Sequence, residues 1–267
     1  MTKLRNITIL IRGAGEMASG IACRLYRSNL RRIIMTDIPE PLAVRRAVSF
    51  CEAIPDGSQI VEGICALRID RVSDAPNIWE KHAIPVIPDP ENAVMSQFKP
   101  DVIIDAVMAK KNTGASIGYA QFVIALGPGF MAGSDAHCVI ETNRGHDLGR
   151  LFYSGSASPD TGVPGEIAGH THDRVLRAPC AGIFLSDSKI GNLIINGQPI
   201  GSVSGKKVLT KVNGAIRGLI RSGSTVTKGL KIGDVDPRGI AEYCFSISEK
   251  SRAIGGSVLE AILRRYN

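Results

Sequence analysis

The chain has 267 residues, a formal net charge of +7 and 44% hydrophobic residues, enough to bury one large core or two ordinary ones. No run of about 18 apolar residues occurs, and the apolar stretch near Met1–Leu10 lacks a small-residue cleavage site, so neither a membrane span nor a signal peptide is expected and a cytoplasmic location is. Six cysteines (Cys23, Cys51, Cys65, Cys138, Cys180, Cys244) include no C-x-x-C pair, which favours reduced structural thiols over a disulfide framework or a zinc knuckle.

The N-terminal half alternates in hydrophobic period. Ile7–Ile11 is a run rich in β-branched residues, suited to a central strand of a parallel sheet covered on both faces. It leads into Gly13-Ala14-Gly15, after which Met17, Ala18, Ile21, Ala22 and Leu25 recur at helical spacing in a helix ending near Ser28. A second strand, Arg32–Thr36, finishes at Asp37. Further units follow: a helix at Pro41–Phe50, a strand at Ile60–Leu67, a helix at Asp74–His82, and strands at Ile84–Ile87, Asp101–Ala106 and Phe122–Leu126. This alternation predicts a Rossmann-like α/β domain with a doubly wound parallel sheet over residues 1–153.

The first strand–turn–helix carries a nucleotide signal. Gly13-x-Gly15-x-x-Ala18 follows a strand, opens a helix and precedes an acidic residue, Asp37, at the customary distance. Two glycines let the backbone turn tightly and approach a pyrophosphate, the helix N-terminus offers unpaired N–H groups, and Asp37 can accept from ribose hydroxyls. The competing reading is a turn whose glycines serve packing alone. Glu16, in the first helical turn, suits the helix dipole yet would repel a phosphate there, so the bound group need not be NAD. Asp37 disfavours a 2′-phosphate, although Arg45 and Arg46 keep NADP open.

Later strand ends carry more polar groups. Asp105 closes one strand and precedes Lys110, Lys111 and Asn112; Gly127-Pro128-Gly129 follows the next. Ligands of open α/β sheets bind at such carboxyl ends. The run His137–Asp147 then offers Cys138, Glu141, Asn143, Arg144 and His146. A metal site of His137, Glu141 and His146 matches no known ligand spacing, and no metal is expected. An acid/base or substrate-anchoring role for Glu141, Asn143, Arg144 and His146 competes with a hydrogen-bonded scaffold, and Cys138 is either a reactive thiol or a small buried residue. The candidate catalytic residues are therefore Glu141, His146 and Cys138, and the candidate cofactor-binding residues are Gly13, Gly15, Ala18, Asp37, Asp105, Lys110, Asn112, Gly127, Gly129, Asn143 and Arg144.

Residues 154–173, rich in Gly, Pro, Ser and Thr, read as a linker or lid. Beyond them a glycine pattern repeats at an offset of 32 residues: Gly182/Gly214, Gly191/Gly223, Gly197/Gly229 and Gly201/Gly233, with Ile194/Val226, Ile200/Ile232 and Val203/Val235 in register. That is duplication of a small β unit. Each copy resembles half of the barrel-sandwich fold of biotinyl and lipoyl carriers, so residues 174–240 are expected to form a small all-β barrel-sandwich domain and 241–267 a strand and helix, about Gly256–Tyr266, packing back. The hairpin Gly205-Lys206-Lys207-Val208 lacks the carrier motif, leaving Lys206 and Lys207 as plain solvated lysines. From Arg174 onward there are 15 Lys/Arg against 6 Asp/Glu, compared with 17 against 19 before it. The basic β module suits an acidic protein partner or a phosphorylated cofactor better than nucleic acid, since aromatics to stack on bases are few.

The phrases Arg12–Gly20, Arg45–Phe50, Ala109–Asn112, Gly127–Phe130, Val139–Arg150, Arg217–Ile220 and Gly229–Arg238 together resemble the selenium-dependent molybdenum hydroxylase accessory family, over nearly the whole chain and most specifically at Glu141–Arg150. The resemblance implies a maturation factor for a selenium-dependent molybdenum hydroxylase, with a Rossmann-like half similar to that of xanthine dehydrogenase accessory proteins. Its cofactor would be molybdopterin dinucleotide or NAD(P), held at the Gly13/Gly15 loop, and its partner the client molybdenum hydroxylase. No nucleic acid or membrane partner is expected, and a homo-oligomer is open. The alternatives are an NAD(P)-dependent oxidoreductase using His146 or Lys110 as acid/base, and a non-catalytic scaffold with a vestigial loop.

Overall fold

The computed structural model describes residues 4–267. The chain divides into two compact units, one built from the chain up to Pro41 with Ser49–Thr161 and Ile247–Asn267, the other from Leu42–Val48 and Gly162–Ser246.

The first unit contains strands β1 (Ile9–Arg12), β2 (Ile33–Asp37), β3 (Ser58–Val61), β4 (Ile64–Arg68), β5 (Ile84–Pro88), β6 (Val102–Asp105), β7 (Phe122–Leu126), β8 (Cys138–Ile140) and β9 (Leu151–Phe152). Its helices are α1 (Glu16–Arg27), α2 (Ala53–Asp56), α3 (Ala75–Glu80), α4 (Val94–Phe98) and α5 (Glu249–Tyr266). One nine-stranded sheet runs in the order β3-β4-β5-β2-β1-β6-β7-β8-β9. Every pairing from β4 to β8 is parallel, whereas β3/β4 and β8/β9 are antiparallel. Alternate residues of the inner strands face opposite layers. Leu10, Ile34, Ile103, Val123 and Val139 share one face, buried with Ala75, Ile78 and Val94 of α3 and α4.

This sheet corrects the expected doubly wound Rossmann-like architecture in three places. The expected strand at Ile60–Leu67 is a hairpin: Glu62 (φ 46°) and Gly63 (φ 81°) form a tight turn that folds β4 back on β3. The expected helix at Pro41–Phe50 is instead an extended segment with short 3-10 turns at Arg46–Val48 and Phe50–Glu52, and its Leu42–Val48 part belongs to the second unit. The β6–β7 and β7–β8 crossovers contain no α-helix; the first is a loop with one 3-10 turn at Ile117–Tyr119. Among the described residues, no helix is long and apolar enough to cross a membrane.

The helix expected from Gly256 begins at Glu249, about two turns earlier, where the Ser248 hydroxyl accepts from Ser251 N and caps α5. Gly255 survives inside it because α5 lies against α1, whereas the space a Cβ on Gly256 would fill is open. A Cβ on Gly20 would sit 2.6 Å from Ser251 Cβ, and one on Gly255 3.1 Å from Arg24 Cβ. Those contacts step in the same direction along both helices, so α1 and α5 run parallel and their N-termini share one edge of the sheet.

The second unit comprises β10 (Val175–Arg177), β11 (Gly182–Leu185), β12 (Leu193–Ile194), β13 (Pro199–Val203), β14 (Lys206–Leu209), β15 (Gly214–Leu219), β16 (Thr225–Val226) and β17 (Lys231–Asp236). They form two four-stranded antiparallel sheets, β10-β17-β15-β12 and β14-β13-β11-β16, in place of the expected barrel-sandwich domain. Each sheet takes two strands from each sequence copy, so the duplicated halves interlock. Glycines at equivalent positions share their backbone angles: φ is 146° and 151° at Gly182 and Gly214, and 93° and 90° at Gly191 and Gly223. Phe184, Ile194, Ile200, Val203, Ile216, Val226, Ile232 and Val235 fill the core, while Lys206 and Lys207 are exposed.

The close approach of α1 and α5 yields a test. Gly20→Ala should destabilise by about 1–3 kcal/mol through overpacking, despite Ala's better helix propensity. Adding Ser251→Gly should recover part of that loss, measured by urea unfolding of the single and double variants.

Candidate functional site

The carboxyl edge of the first unit's sheet is organised by a buried ion pair. Parallel register sets Arg12, the last residue of β1, opposite Asp105, the last residue of β6. Their side chains are 3% and 1% exposed, and Arg12 Nη1 donates to Asp105 Oδ2. The remaining guanidinium donors reach Asn92 Oδ1 at 2.9 Å and the Thr113 carbonyl at 3.0 Å, tying the loops after β5 and β6 to the end of β1. Burial pushes the Asp105 carboxyl above its ordinary range, with Arg12 opposing that rise.

Above this pair lies the glycine loop. Gly13 (φ 93°) needs its missing side chain, since a Cβ there would lie 2.9 Å from the Ala106 carbonyl oxygen. Gly15 differs: the space its Cβ would occupy is open, and it stands at the N-terminus of α1. Ala18 is buried in the core face of that helix. Asp37 accepts from Ala14 N and Ile38 N, both at 2.8 Å, so its carboxylate braces the loop from below. Burial raises its pKa, and those two N–H groups oppose the rise.

The later loops are self-locking. Asn112 Oδ1 accepts from Gly114 N and Ala115 N at 2.9 and 2.7 Å, and Lys110 pairs with Asp160 at 2.6 Å. The bare Cα of Gly127 accommodates Thr142 Oγ1, and that of Gly129 the backbone of Lys111. Glu141 is 1% exposed and accepts from Asn143 N and Ser158 N, each at 2.7 Å. Burial alone would raise its carboxyl; the backbone N–H groups outweigh that and hold it below the ordinary range. Glu141 thus clamps the 141–158 loop.

Not every candidate reaches this edge. Asn143 and His146 are exposed on the 141–150 loop. Cys138 is fully buried within β8, its thiol pushed up to about 11 by burial, with Tyr153 opposing, which keeps it protonated and unreactive at neutral pH. His137 begins β8 at the opposite end from Glu141, its Nδ1 accepting from Val123 N at 3.0 Å. Among the described residues no group of three His, Cys, Asp or Glu side chains is placed to hold a metal ion.

Two residues the sequence reading passed over complete the edge. Arg12 could have been noticed as a lone charge ending an apolar strand. Lys250, in the first turn of α5, had no such signal. It lies in the electrostatic field of Arg144, Glu16, Glu141 and Glu249, and burial lowers its pKa. Arg144 itself pairs with Glu249, whereas Lys250 forms no hydrogen bond or ion pair among the described residues.

Fold and site together define an open α/β sheet protein with a cluster of charged groups at the carboxyl edge of its central strands. No protein-family model matches the chain. It is 46% identical over 255 residues to a protein of Escherichia coli (strain K12) named Uncharacterized protein YqeB, an alignment covering 96% of this chain and 47% of the relative. The chain thus spans about half the length of the curated relative it matches. Among solved structures, it aligns with TcdA (CsdL) at 12% identity over 98% of this chain and 89% of that one, with a TM-score of 0.36. An aspartoacylase family protein of Mesorhizobium loti aligns at 11% identity over 79% and 58%, with a TM-score of 0.26. A succinylglutamate desuccinylase/aspartoacylase of Rhodobacter sphaeroides aligns at 21% identity over 24% and 22%, with a TM-score of 0.23. Scores this low assign neither fold nor activity.

These findings correct the resemblance to the selenium-dependent molybdenum hydroxylase accessory family. None of these proteins is named for handling molybdenum or selenium, and no family model supports the membership. The maturation role falls with it.

The site makes two stability predictions. Asp105→Ala should cost about 3–5 kcal/mol, because it strands a buried guanidinium. Glu141→Gln should cost about 1–3 kcal/mol at neutral pH. The folded Glu141 carboxyl lies below its ordinary 4.5, so its contribution is complete above that value and is lost as pH falls through the folded pKa. The wild-type advantage over Glu141→Gln, followed by chemical denaturation, should therefore shrink on acidification.

Proposed function

We propose that the first unit binds a phosphate-bearing small molecule at the carboxyl edge of its sheet, with the phosphate over Gly15 and Lys250 as its counter-ion. The observation that carries this reading is Lys250: a lysine with no ion pair, pKa depressed by burial, among the charged groups at the N-termini of two parallel helices. Such a group gains from an incoming anion what it lacks in the free protein. The location supports it as well. The strand order progresses outward from β1 through β2 to β5, then restarts at β6 on the other side of β1. Ligands of open α/β sheets bind where progression reverses in this way, and aligned N–H groups favour phosphate there.

Glu16 and Glu141 bear on the choice of ligand. Their negative charges raise the Lys250 pKa, opposing burial, and they disfavour a bare multivalent anion. A diester pyrophosphate, which carries fewer negative charges than a free triphosphate, fits better. NAD(P) and molybdopterin dinucleotide both contain that group and are the cofactors to test.

Calorimetric titration with NAD, NADP and a pterin dinucleotide tests the proposal on the full chain. At least one should bind, and Lys250→Met should weaken binding by about ten- to a hundredfold while leaving the free protein as stable or more so. A lowered lysine pKa means that Lys250 detracts fully from stability below its folded value, and the penalty is relieved as pH rises from there to the unfolded value, where the unfolded state holds more protons. Affinity should decline over that same rise, as the ammonium deprotonates. Equal binding by Lys250→Met would refute the assignment.

A further inference from the structure

The second unit holds a buried guanidinium that the fold satisfies only in part. Arg217, in β15, is 7% exposed. It makes no hydrogen bond among the described residues: Nε is enclosed without a partner, and its ion pair is long, with Nη1 3.7 Å from Asp234 Oδ2. The other neighbouring acceptors are committed elsewhere. Asp234 Oδ1 accepts from Arg174 Nη1, and the Gly165 carbonyl accepts from Arg174 Nε. Asp236 is chelated by Arg238, Nε to Oδ1 at 2.8 Å and Nη2 to Oδ2 at 2.6 Å. The carbonyls of Tyr243, Cys244 and Ser246 accept from Arg45. A buried charge without hydrogen bonds is among the costliest features a fold can retain, and a missing acceptor is the simplest reason for retaining one.

The internal duplication shows that this charge is not part of the β scaffold. Thirty-two residues before Arg217, Asp234 and Asp236 stand Leu185, Ser202 and Ser204, so one copy has acquired ions where the other is neutral. Leu185 is 57% exposed, whereas Arg217 is covered. The cover includes the Ala241–Phe245 turn, which packs on β15, and the Leu42–Val48 segment, whose Val44 carbonyl oxygen would lie 2.7 Å from a Cβ on Gly218. Tyr243 and Phe245 on that turn are 43% and 52% exposed, so lifting it exposes little further apolar surface.

We propose that Arg217 forms a second anion site, separate from the glycine-loop site, that takes the oxyanion group of a small ligand on the covered face of β15. Arginine presents a planar fork of donors that matches carboxylate and phosphate oxygens two at a time. Phosphate and carboxylate share that chemistry, and the experiment separates them.

The test is equilibrium dialysis of the full-length chain with labelled inorganic phosphate, and separately with labelled succinate, at ionic strength held constant with chloride. Lys250→Met, which silences the first site, should still bind about one anion per chain by one of the two probes, the preferred probe identifying the class. Adding Arg217→Met should weaken that binding about tenfold or more; Arg217→Lys, which keeps the charge without the fork, serves if the methionine variant does not fold. Binding of neither probe by Lys250→Met, or undiminished binding after Arg217 is replaced, would overturn the proposal and leave buried water as Arg217's partner. Failure of the first site appears separately, as unchanged dinucleotide binding in Lys250→Met.

Discussion

The buried pair of Arg12 and Asp105 occupies the seam between the two halves of the nine-stranded sheet. Each residue is the last of its strand, so the pair forms only if β1 and β6 lie side by side in parallel register. Arg12 then extends past the sheet to Asn92 and Thr113, fixing the loops that surround the glycine turn. Desolvating two charges is expensive, and the expense is offset only when geometry and extra hydrogen bonds are both good. The pair therefore specifies register: a slip of one residue would leave two ions buried without partners.

That seam accounts for the character of the site. Asp37 supports the glycine loop from β2, and Glu141 ties down the loop after β8. Both are acids that could be mistaken for catalytic groups, yet each spends its oxygens on backbone N–H groups. Lys250, delivered by a helix from the far end of the chain, has no such occupation. Structural acids and an unpaired lysine thus gather at one edge of the sheet.

The second unit shows how a duplicated scaffold diverges. Paired glycines with matching φ angles keep both copies on one backbone path, and the core positions repeat in apolar character. The outward faces are free of that constraint. One sheet carries exposed Ile183, Leu185 and Leu209; the other carries Arg217, Asp234 and Asp236 beneath a covering turn. Packing preserves the inward positions, while the outward ones are available for function.

Periodicity and spacing in the sequence determined β1, α1, β2, β5, β6 and β7, the glycine turn, the 32-residue duplication and its core, because each rests on local backbone geometry or on side-chain alternation within one element. The β3–β4 hairpin was hidden by its apolar flanks, which read as one strand once the Glu62-Gly63 turn was passed over. The start of α5 was hidden by Gly255-Gly256, of which Gly255 is accommodated by the close approach of α1. Only the tertiary structure decided the antiparallel sheet edges, the membership of Leu42–Val48 in the second unit, the burial of Cys138 and the convergence of Lys250 on the site. These depend on contacts between residues tens to hundreds of positions apart, and such contacts leave no periodic trace in the chain that makes them.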